Sequence, residues 1–366
     1  MTLIVGVPVE QFWHRVPGGT ARATLETVRA AVRRPDLELR GVAAWHRPSH
    51  RDRTEALLPV RYLPVHRAVL YRQWIRGATP RLEQVLGRLD VVWAAATVPP
   101  TTDRPLVVTV HDLDFLAHPE RLSRRGRGFF PKVWEAVRER AGLIVCPSAA
   151  VADDCAARGI DRSRLRVVPW GVAPATITPS GAQGYRQRLG LPERFALWVG
   201  TLEPRKNLPG LVEAMKRVPG VDLVIAGPAG WNIDGDDVLA PLAGRVHRVG
   251  RVNDDTLHAL YRSASVFVFP SLSEGFGLPV LEAMAHGTPV VTSVMGATAE
   301  VAEGAALLVD PRNPAAIAAA VTAALEGGPE IDALVAAGHR RAADLTWAAT
   351  ARGYHGVFVE AANERR

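Results

Sequence analysis

Cysteine and lysine are scarce in this chain, and long apolar runs are absent. The two cysteines, Cys146 and Cys155, fall in a predicted strand and a predicted helix without metal-site spacing, so we expect buried thiols. No run reaches the roughly 18 apolar residues of a membrane-spanning helix. The first apolar run, Leu3 to Val7, is too short for a signal peptide and lacks its basic lead. These absences favour a cytoplasmic protein.

Arginine supplies nearly all of the positive charge, because only Lys132, Lys206 and Lys216 are lysines among 44 basic residues. The net charge of +7 suits nucleotide phosphates, an anionic membrane or nucleic acid. No nucleic-acid-binding module is visible, so nucleic acid is not an expected partner. The chain has 366 residues, 48% of them hydrophobic, which excludes a disordered protein and suffices for two α/β domains.

The segment from 265 to 293 predicts a strand, a glycine-containing loop, a helix and a second strand. Ser265–Phe269 and Pro289–Ser293 are short apolar runs typical of buried parallel strands. Between them, Leu278–His286 has the apolar spacing of a helix. Pro279 suits its first turn and Gly287 the position just past its end.

The loop in this segment has the composition of a ligand site. Gly275 and Gly277 allow backbone N–H groups to approach a ligand and lead into a helix N-terminus, which attracts anions and hydroxyl groups. Glu274 and Glu282 supply carboxylates that accept paired hydrogen bonds from the vicinal hydroxyls of a ribose or hexose. The alternative is that both glutamates are surface charges. Burial of Glu282 without a partner would cost several kcal/mol.

Two further segments place charged or titratable side chains after predicted strands. Arg205 and Lys206 follow the strand Phe195–Gly200 and suit a diphosphate, although an adjacent Arg-Lys pair is also common on solvated surfaces. His111 and Asp112 end another strand, where a histidine contacts a sugar oxygen or moves a proton. The alternative for His111 is a turn closed through Asp112.

A glycine pair, Gly18 and Gly19, lies between the first strand and the first helix, which is a phosphate-facing position in Rossmann-like folds. A flexible loop is the alternative. The spacing Asp112-Leu-Asp114 matches a metal-binding pair, but it follows His111 in the first half of the chain, so no metal site is predicted.

The segment Glu274-Gly-Phe-Gly-Leu-Pro-Val-Leu-Glu282 resembles the donor-binding motif of family-4 glycosyltransferases, which are retaining enzymes of the GT-B fold. Val199–Asn207 resembles the diphosphate motif of the family, with Arg205 and Lys206 in the matching places. Val110–Glu120 resembles a family segment whose first histidine, here His111, faces the transferred sugar. The resemblance covers nearly the whole chain.

The resemblance implies a role for each matching residue. Glu282 would accept hydrogen bonds from the ribose, and Arg205 and Lys206 would neutralise the diphosphate. Glu274 and the N–H groups of the loop would hold the transferred sugar. The site residues implied for the donor are Gly18, Gly19, Arg205, Lys206, Glu274, Gly275, Phe276, Gly277, Leu278 and Glu282. Those implied for catalysis are His111, Asp112, Arg205, Lys206 and Glu274.

The predicted architecture is α/β, with two Rossmann-like domains facing across a cleft. An acceptor-binding domain of residues 1–170 is followed by a hinge, 171–190, and a nucleotide-sugar domain, 191–346. The resemblance implies that a last helix, within 347–366, crosses back to the first domain.

The predicted activity is metal-independent transfer of a hexose from a nucleotide diphosphate sugar to a hydroxyl of a glycan, lipid-linked or small-molecule acceptor, with retention and without a cofactor. GDP-mannose is favoured over a UDP-sugar by the resemblance of the His111 segment to mannosyltransferases. The alternatives are a GT-B-fold nucleotide-sugar epimerase and a non-enzymatic nucleotide-sugar-binding subunit.

The stretch 121–134 mixes five cationic residues with three aromatic ones. Such a segment contacts anionic membranes, at about 1 kcal/mol per basic residue. Peripheral membrane contact is therefore one hypothesis. An arginine-rich solvated loop with core aromatics is the other.

Overall fold

The computed structural model describes residues 2–13, 18–47, 57–122, 124–174, 176–230 and 235–364. The chain divides into two compact units. The first unit comprises Met1–Gly171 with Trp347–Arg366, and the second comprises Val172–Thr346. Among the described helices, none combines the length and apolarity that crossing a membrane requires.

The first unit contains a parallel sheet with strand order β3-β2-β1-β4-β5-β6-β7. Its strands are β1 (Leu3–Pro8), β2 (Leu37–Ala43), β3 (Val60–Tyr62), β4 (Val91–Ala94), β5 (Leu106–Thr109), β6 (Leu143–Cys146) and β7 (Leu165–Val167). Its helices are α1 (Gly19–Ala31), α2 (Arg67–Ile75), α3 (Leu82–Leu86), α4 (Asp114–Ala117), α5 (Arg124–Arg140), α6 (Ala149–Ala157) and, at the end of the chain, α15 (Trp347–Asn363).

Alternate residues of the central strands enter two different cores. Val92 and Val108 belong to a cluster on one face of the sheet, whereas Trp93 and Val107 belong to a cluster on the other. Because successive side chains of a strand point to opposite faces, both faces are covered and the strands are apolar throughout.

Helix α15 packs within the first unit, although 175 residues of the second unit separate it in sequence from that unit. Its Tyr354 and Phe358 are buried against Trp93, and the Tyr354 hydroxyl lies 3.0 Å from the Thr109 hydroxyl. Glu360 forms an ion pair with Arg166 of β7. The helix therefore supplies part of the core of the first unit.

The second unit contains a parallel sheet with strand order β10-β9-β8-β11-β12-β13. Its strands are β8 (Phe195–Val199), β9 (Asp222–Ala226), β10 (Val246–Gly250), β11 (Val266–Phe269), β12 (Val290–Ser293) and β13 (Leu307–Val309). Its helices are α7 (Pro179–Arg188), α8 (Leu208–Met215), α9 (Gly235–Leu239), α10 (Asp254–Ser263), α11 (Leu278–Ala285), α12 (Gly296–Ala302), α13 (Pro314–Glu326) and α14 (Pro329–Asp344).

Two segments contain elements that were not predicted from the sequence. The predicted hinge, 171–190, contains helix α7, which begins after Thr178, whose side chain accepts a hydrogen bond from the Gly181 N–H. Pro179 fits the first helical position, so this proline begins the helix. The stretch 47–65 is polar and contains prolines, which predicts a loop, but it includes β3, which extends the edge of the first sheet.

Candidate functional site

The loops after β8 and β11 lie at the point where the strand order of the second sheet reverses. Strand β8 pairs with β9 on one side and with β11 on the other. Ligands bind outside the carboxyl ends of parallel strands at such a switch point. Arg205 and Lys206 follow β8, and Glu274 follows β11. The topology therefore brings together three residues predicted from separate motifs.

Glu274 binds both cations directly. The Lys206 ammonium donates to Glu274 Oε1 at 2.8 Å, and Arg205 Nη1 donates to Oε2 at 2.8 Å. Ser271 Oγ donates to Oε1 at 3.1 Å, and Arg205 Nε donates to Glu203 at 2.9 Å. The side chains of Lys206 and Glu274 are each only 9% exposed. These four charged side chains form the charge cluster of the second unit.

Electrostatics within this charge cluster oppose the cost of burial. Burial alone would raise the pKa of Glu274, but the charges of Arg205 and Lys206 hold it at about 2. Burial lowers the pKa of the Lys206 ammonium, and the ionised Glu274 works against that shift. The ammonium also lies 4.8 Å from the centre of the Phe269 ring, which attracts cations.

A tight backbone turn precedes helix α11. Gly277 has φ = +105°, which disfavours side chains, and a Cβ built there would lie 3.1 Å from Thr298 Cγ2. Phe276 is buried, and Gly275 lies between it and Glu274. Leu278 begins the helix, with Pro279 in its first turn. The sequence-based placement of the loop and helix agrees with these bounds.

Glu282 is buried within α11 and is not the surface charge of the alternative interpretation. Its Oε2 accepts a hydrogen bond from the Tyr261 hydroxyl of α10 at 2.7 Å. Both residues are almost completely buried, at 6% and 1% exposure. Tyr261 was not among the site residues predicted from the sequence. Its place on the apolar face of an amphipathic helix gave no sign of which polar group its hydroxyl contacts.

His111 lies in the first unit, just beyond the carboxyl end of β5. Its Nε2 is 2.8 Å from the Ala95 carbonyl oxygen, and its ring packs 5.5 Å from that of Trp170. Because a carbonyl oxygen only accepts, Nε2 carries the proton and Nδ1 presents a lone pair. No described residue supplies a hydrogen-bond partner for Nδ1. Burial lowers the pKa of His111 to about 4, which leaves the ring neutral at pH 7.

Asp112 has a local structural contact. Its Oδ1 accepts a hydrogen bond from the Asp114 N–H at 3.2 Å, and Asp114 forms a 2.8 Å ion pair with Arg121. The Asp112-Leu-Asp114 spacing therefore belongs to a turn. In the described part of the chain, no group of three or more histidine, cysteine or carboxylate side chains gathers as metal ligands do.

Gly18 and Gly19 form the beginning of α1. Gly18 is the N-cap, with φ = −78°, and Gly19 is the first helical residue. A Cβ built at either position meets no atom within 4 Å. Their predicted neighbours Val16 and Pro17 lie outside the described residues. The structure thus places the pair at a helix N-terminus at the ligand-binding edge of the first sheet.

The basic stretch 121–134 leads into helix α5 and is not a loop beyond Ser123. Arg124, Arg125 and Arg127 are exposed, whereas Trp134 is buried. The Phe130 ring packs 5.0 Å from the ring of Phe115. The aromatic side chains of the stretch 121–134 thus contribute to packing within the first unit, while its exposed arginines face solvent.

Two family models together match most of the chain. A model of Glycosyltransferase Family 4 matches residues 17–176, and a model of Glycosyl transferases group 1 matches residues 184–341. A D-inositol 3-phosphate glycosyltransferase of Acidothermus cellulolyticus is 31% identical over 343 residues, covering 84% of this chain and 75% of that protein. The chain belongs to glycosyltransferase family 4. This glycosyltransferase is 38% identical over 164 residues to the O-antigen chain mannosyltransferase B of Escherichia coli. The match spans 42% of each protein, which is less than half of the E. coli one.

Solved structures show the same fold for this family-4 glycosyltransferase. HepE from Anabaena, in complex with UDP and glucose, has a TM-score of 0.76 at 18% identity, covering 98% of this chain and all of that one. A glycosyltransferase from Rickettsia africae has a TM-score of 0.76 at 15% identity, covering 98% of both chains. The predicted family and the predicted α/β GT-B fold are confirmed. The roles of individual residues stay predictions.

Proposed function

We propose that this glycosyltransferase moves a hexose from a nucleotide diphosphate sugar to an acceptor hydroxyl, with retention and without a metal or cofactor. The observation that carries the proposal is the buried charge cluster at the switch point of the second sheet, beside the N-terminus of α11. Arg205 and Lys206 offer charged donors, and Glu274 holds both of them in place. A leaving diphosphate develops negative charge that such preorganised donors stabilise.

In this proposal, the carboxylates orient the sugars of the donor. Glu282 accepts hydrogen bonds from the ribose hydroxyls, since a carboxylate has lone pairs for two vicinal donors. Glu274 and the backbone N–H groups of Phe276, Gly277 and Leu278 hold the transferred hexose. Gly18 and Gly19 of the first unit bind phosphate through the N-terminus of α1.

His111 has the acceptor-side role in the proposal. Its Nδ1 lone pair accepts a hydrogen bond from a sugar hydroxyl, and a neutral ring at pH 7 supports that role. Asp112 contributes by fixing the turn after His111. We assign the acceptor's proton to the donor phosphate, because retention then proceeds on one face of the sugar without a covalent enzyme intermediate.

GDP-mannose is the donor we propose, and a cell-envelope glycan or lipid-linked acceptor is its counterpart. The name of the E. coli relative, an O-antigen chain mannosyltransferase, supports this choice. The A. cellulolyticus relative is named for an inositol phosphate acceptor, which keeps small-molecule acceptors within the proposal. Formation of an epimer of the sugar in the absence of acceptor would contradict the proposed transfer reaction. Binding of nucleotide sugar without any product would also contradict it.

A thermal-shift panel of UDP, GDP, ADP and their common sugars tests the donor site. The expected result is that GDP and GDP-mannose raise the melting temperature of the wild type but not of Lys206→Ala. Lys216→Ala is the matched control, because that lysine forms an exposed pair with Glu213 in the same unit. The donor-site proposal is wrong if no nucleotide raises the melting temperature of the wild type. It is also wrong if the nucleotides raise the melting temperature of Lys206→Ala as much as that of the wild type.

Product analysis tests the chemistry. NMR of the anomeric proton should show the same anomeric configuration in product and donor, and EDTA should leave the rate unchanged. An inverted product or loss of activity on chelation would contradict these parts of the proposal.

We also propose a cytoplasmic location with peripheral membrane contact through residues 121–134. The exposed arginines at the start of α5 support an electrostatic contact with anionic lipid. Liposome co-sedimentation should show more binding to anionic than to neutral vesicles. The excess should fall when Arg124, Arg125 and Arg127 are replaced by glutamine. Equal binding to both vesicle types would exclude the contact.

A further inference from the structure

We propose that Tyr261 is a positioning residue that fixes the Glu282 carboxylate for recognition of the donor ribose. The inference rests on the proposed function, since it deepens the role assigned to Glu282. Tyr261 OH donates to Glu282 Oε2 at 2.7 Å, and both side chains are almost completely buried. A hydrogen bond between a phenol and a carboxylate in a buried site is short and directional, so it selects one side-chain rotamer of the glutamate.

The Tyr261 ring is itself held on several sides. It packs 5.5 Å from Phe267 edge to face and is stacked 5.6 Å from the His286 ring. Its carbonyl oxygen accepts a hydrogen bond from the Thr288 hydroxyl. These contacts hold the buried ring so that its hydroxyl faces Glu282 from one direction.

The backbone of Glu282 is fixed by a second chain of contacts. His286 Nδ1 lies 2.7 Å from the Glu282 carbonyl oxygen, so Nδ1 carries a proton and donates. His286 Nε2 lies 2.8 Å from His258 Nδ1. Arg262 donates to the His286 carbonyl oxygen at 2.8 Å. Hydrogen bonds thus join helices α10 and α11 around Glu282, the residue proposed to bind the ribose.

This arrangement has a consequence for ligand selection. A carboxylate held in one rotamer recognises two vicinal hydroxyls without first losing conformational freedom, which favours a ribose over a sugar that lacks those hydroxyls. Removing the Tyr261 hydroxyl should therefore weaken recognition of the ribose hydroxyls and leave recognition of the base and phosphates unchanged. A purely structural role would weaken binding of all nucleotides alike.

The test compares nucleotides with and without ribose hydroxyls. Affinities for GDP and UDP, each with its 2′,3′-dideoxy analogue, are measured by calorimetry for wild type, Tyr261→Phe and Tyr354→Phe. Tyr354→Phe is the matched control, because it removes another buried hydroxyl, bonded to Thr109 in the first unit. We expect the wild type to prefer the ribonucleotide by about 10–100-fold, and Tyr261→Phe to reduce that preference by about 3–10-fold.

A double variant keeps the test decisive if Tyr261→Phe changes the stability of the protein. In a Glu282→Ala background, adding Tyr261→Phe should leave the preference unchanged, since the tyrosine acts through the carboxylate. A wild-type preference that survives Tyr261→Phe would overturn the inference while the proposed function stands. A wild type that binds both nucleotide forms equally overturns the inference and the role of Glu282 together. A wild type that binds neither overturns the proposed function as well.

Discussion

Replacing Glu274 by glutamine removes the negative charge that Arg205 and Lys206 share. Glutamine has nearly the same shape, so the change tests charge and leaves the packing almost intact. The carboxylate accepts three side-chain hydrogen bonds, from Arg205, Lys206 and Ser271. After the substitution, the buried Lys206 and the partly exposed Arg205 remain without this partner, and an uncompensated buried charge is strongly destabilising.

The structure gives the size of the effect. The folded pKa of Glu274 is about 2, against an ordinary value of 4.5. At about 1.4 kcal/mol for each pKa unit, the ionised carboxylate contributes about 3 kcal/mol to the free energy of unfolding at pH 7. Because the folded pKa is depressed, this contribution is present above pH 4.5 and is lost as the pH falls towards 2. The contribution of about 3 kcal/mol agrees with the ~3–5 kcal/mol of stability that is lost when one partner of a buried ion pair is removed.

Urea unfolding at pH 7, followed by circular dichroism and tryptophan fluorescence, measures this loss. Glu213→Gln is the matched control, because Glu213 pairs with Lys216 at 2.9 Å but both side chains are nearly half exposed. We expect a loss of about 3 kcal/mol for Glu274→Gln and at most about 0.5 kcal/mol for Glu213→Gln. Equal losses in the two variants, or a loss below about 1 kcal/mol for Glu274→Gln, would refute the electrostatic account of the charge cluster.

Three further predictions concern pH, the last helix and two glycines. Burial depresses the pKa of His111 from 6.5 to about 4 in the folded protein. Between pH 6.5 and 4 the unfolded protein therefore binds a proton at His111 that the folded protein does not, so the free energy of unfolding falls as the pH falls through that range. The difference between the urea midpoints at pH 7 and pH 5 should therefore be smaller in His111→Phe than in the wild type. Phe358→Ala should lower the free energy of unfolding by ~3–5 kcal/mol, because Phe358 is fully buried. Arg166→Met should cost at most ~1 kcal/mol, because the side chains of the Arg166–Glu360 pair are 32% and 35% exposed. Gly277→Ala should lower the melting temperature, because its φ is positive, whereas Gly19→Ala should not.

Much of the second unit could be predicted from the sequence because its signals are local. Apolar runs marked β8, β11 and β12, and Pro279 with Gly287 marked the two ends of α11. In parallel sheets, the residues after neighbouring strands meet at one edge. The family resemblance assigned Arg205, Lys206 and Glu274 to one donor site, and the pairing of β8 with β11 explains why they meet.

The contacts that join the site to its surroundings were not predictable in the same way. The hydrogen bond from Tyr261 to Glu282 spans two helices, and no periodicity in either helix specifies the partner. The packing of α15 into the core of the first unit joins residues from opposite ends of the chain, and was expected only from the family resemblance. Helix α7 was missed because its one proline and two glycines outweighed its short helical pattern, while its capping residue Thr178 acts through a single hydrogen bond.

The charge cluster also constrains how the proposed donor is held. Arg205 and Lys206 face Glu203 and Glu274, so the four side chains together have no formal net charge. A diphosphate that joins them brings negative charge that the cluster alone does not balance. In the proposed function, Arg205 and Lys206 still donate to the leaving diphosphate, and the N–H groups at the start of α11, beside Glu274, hold the transferred hexose. Gly277, with its positive φ, forms the turn that leads into the first residues of α11. The proposal therefore assigns the phosphates to the cations and the hexose to the start of the helix, so that the two parts of the donor are held by different features of the same switch point.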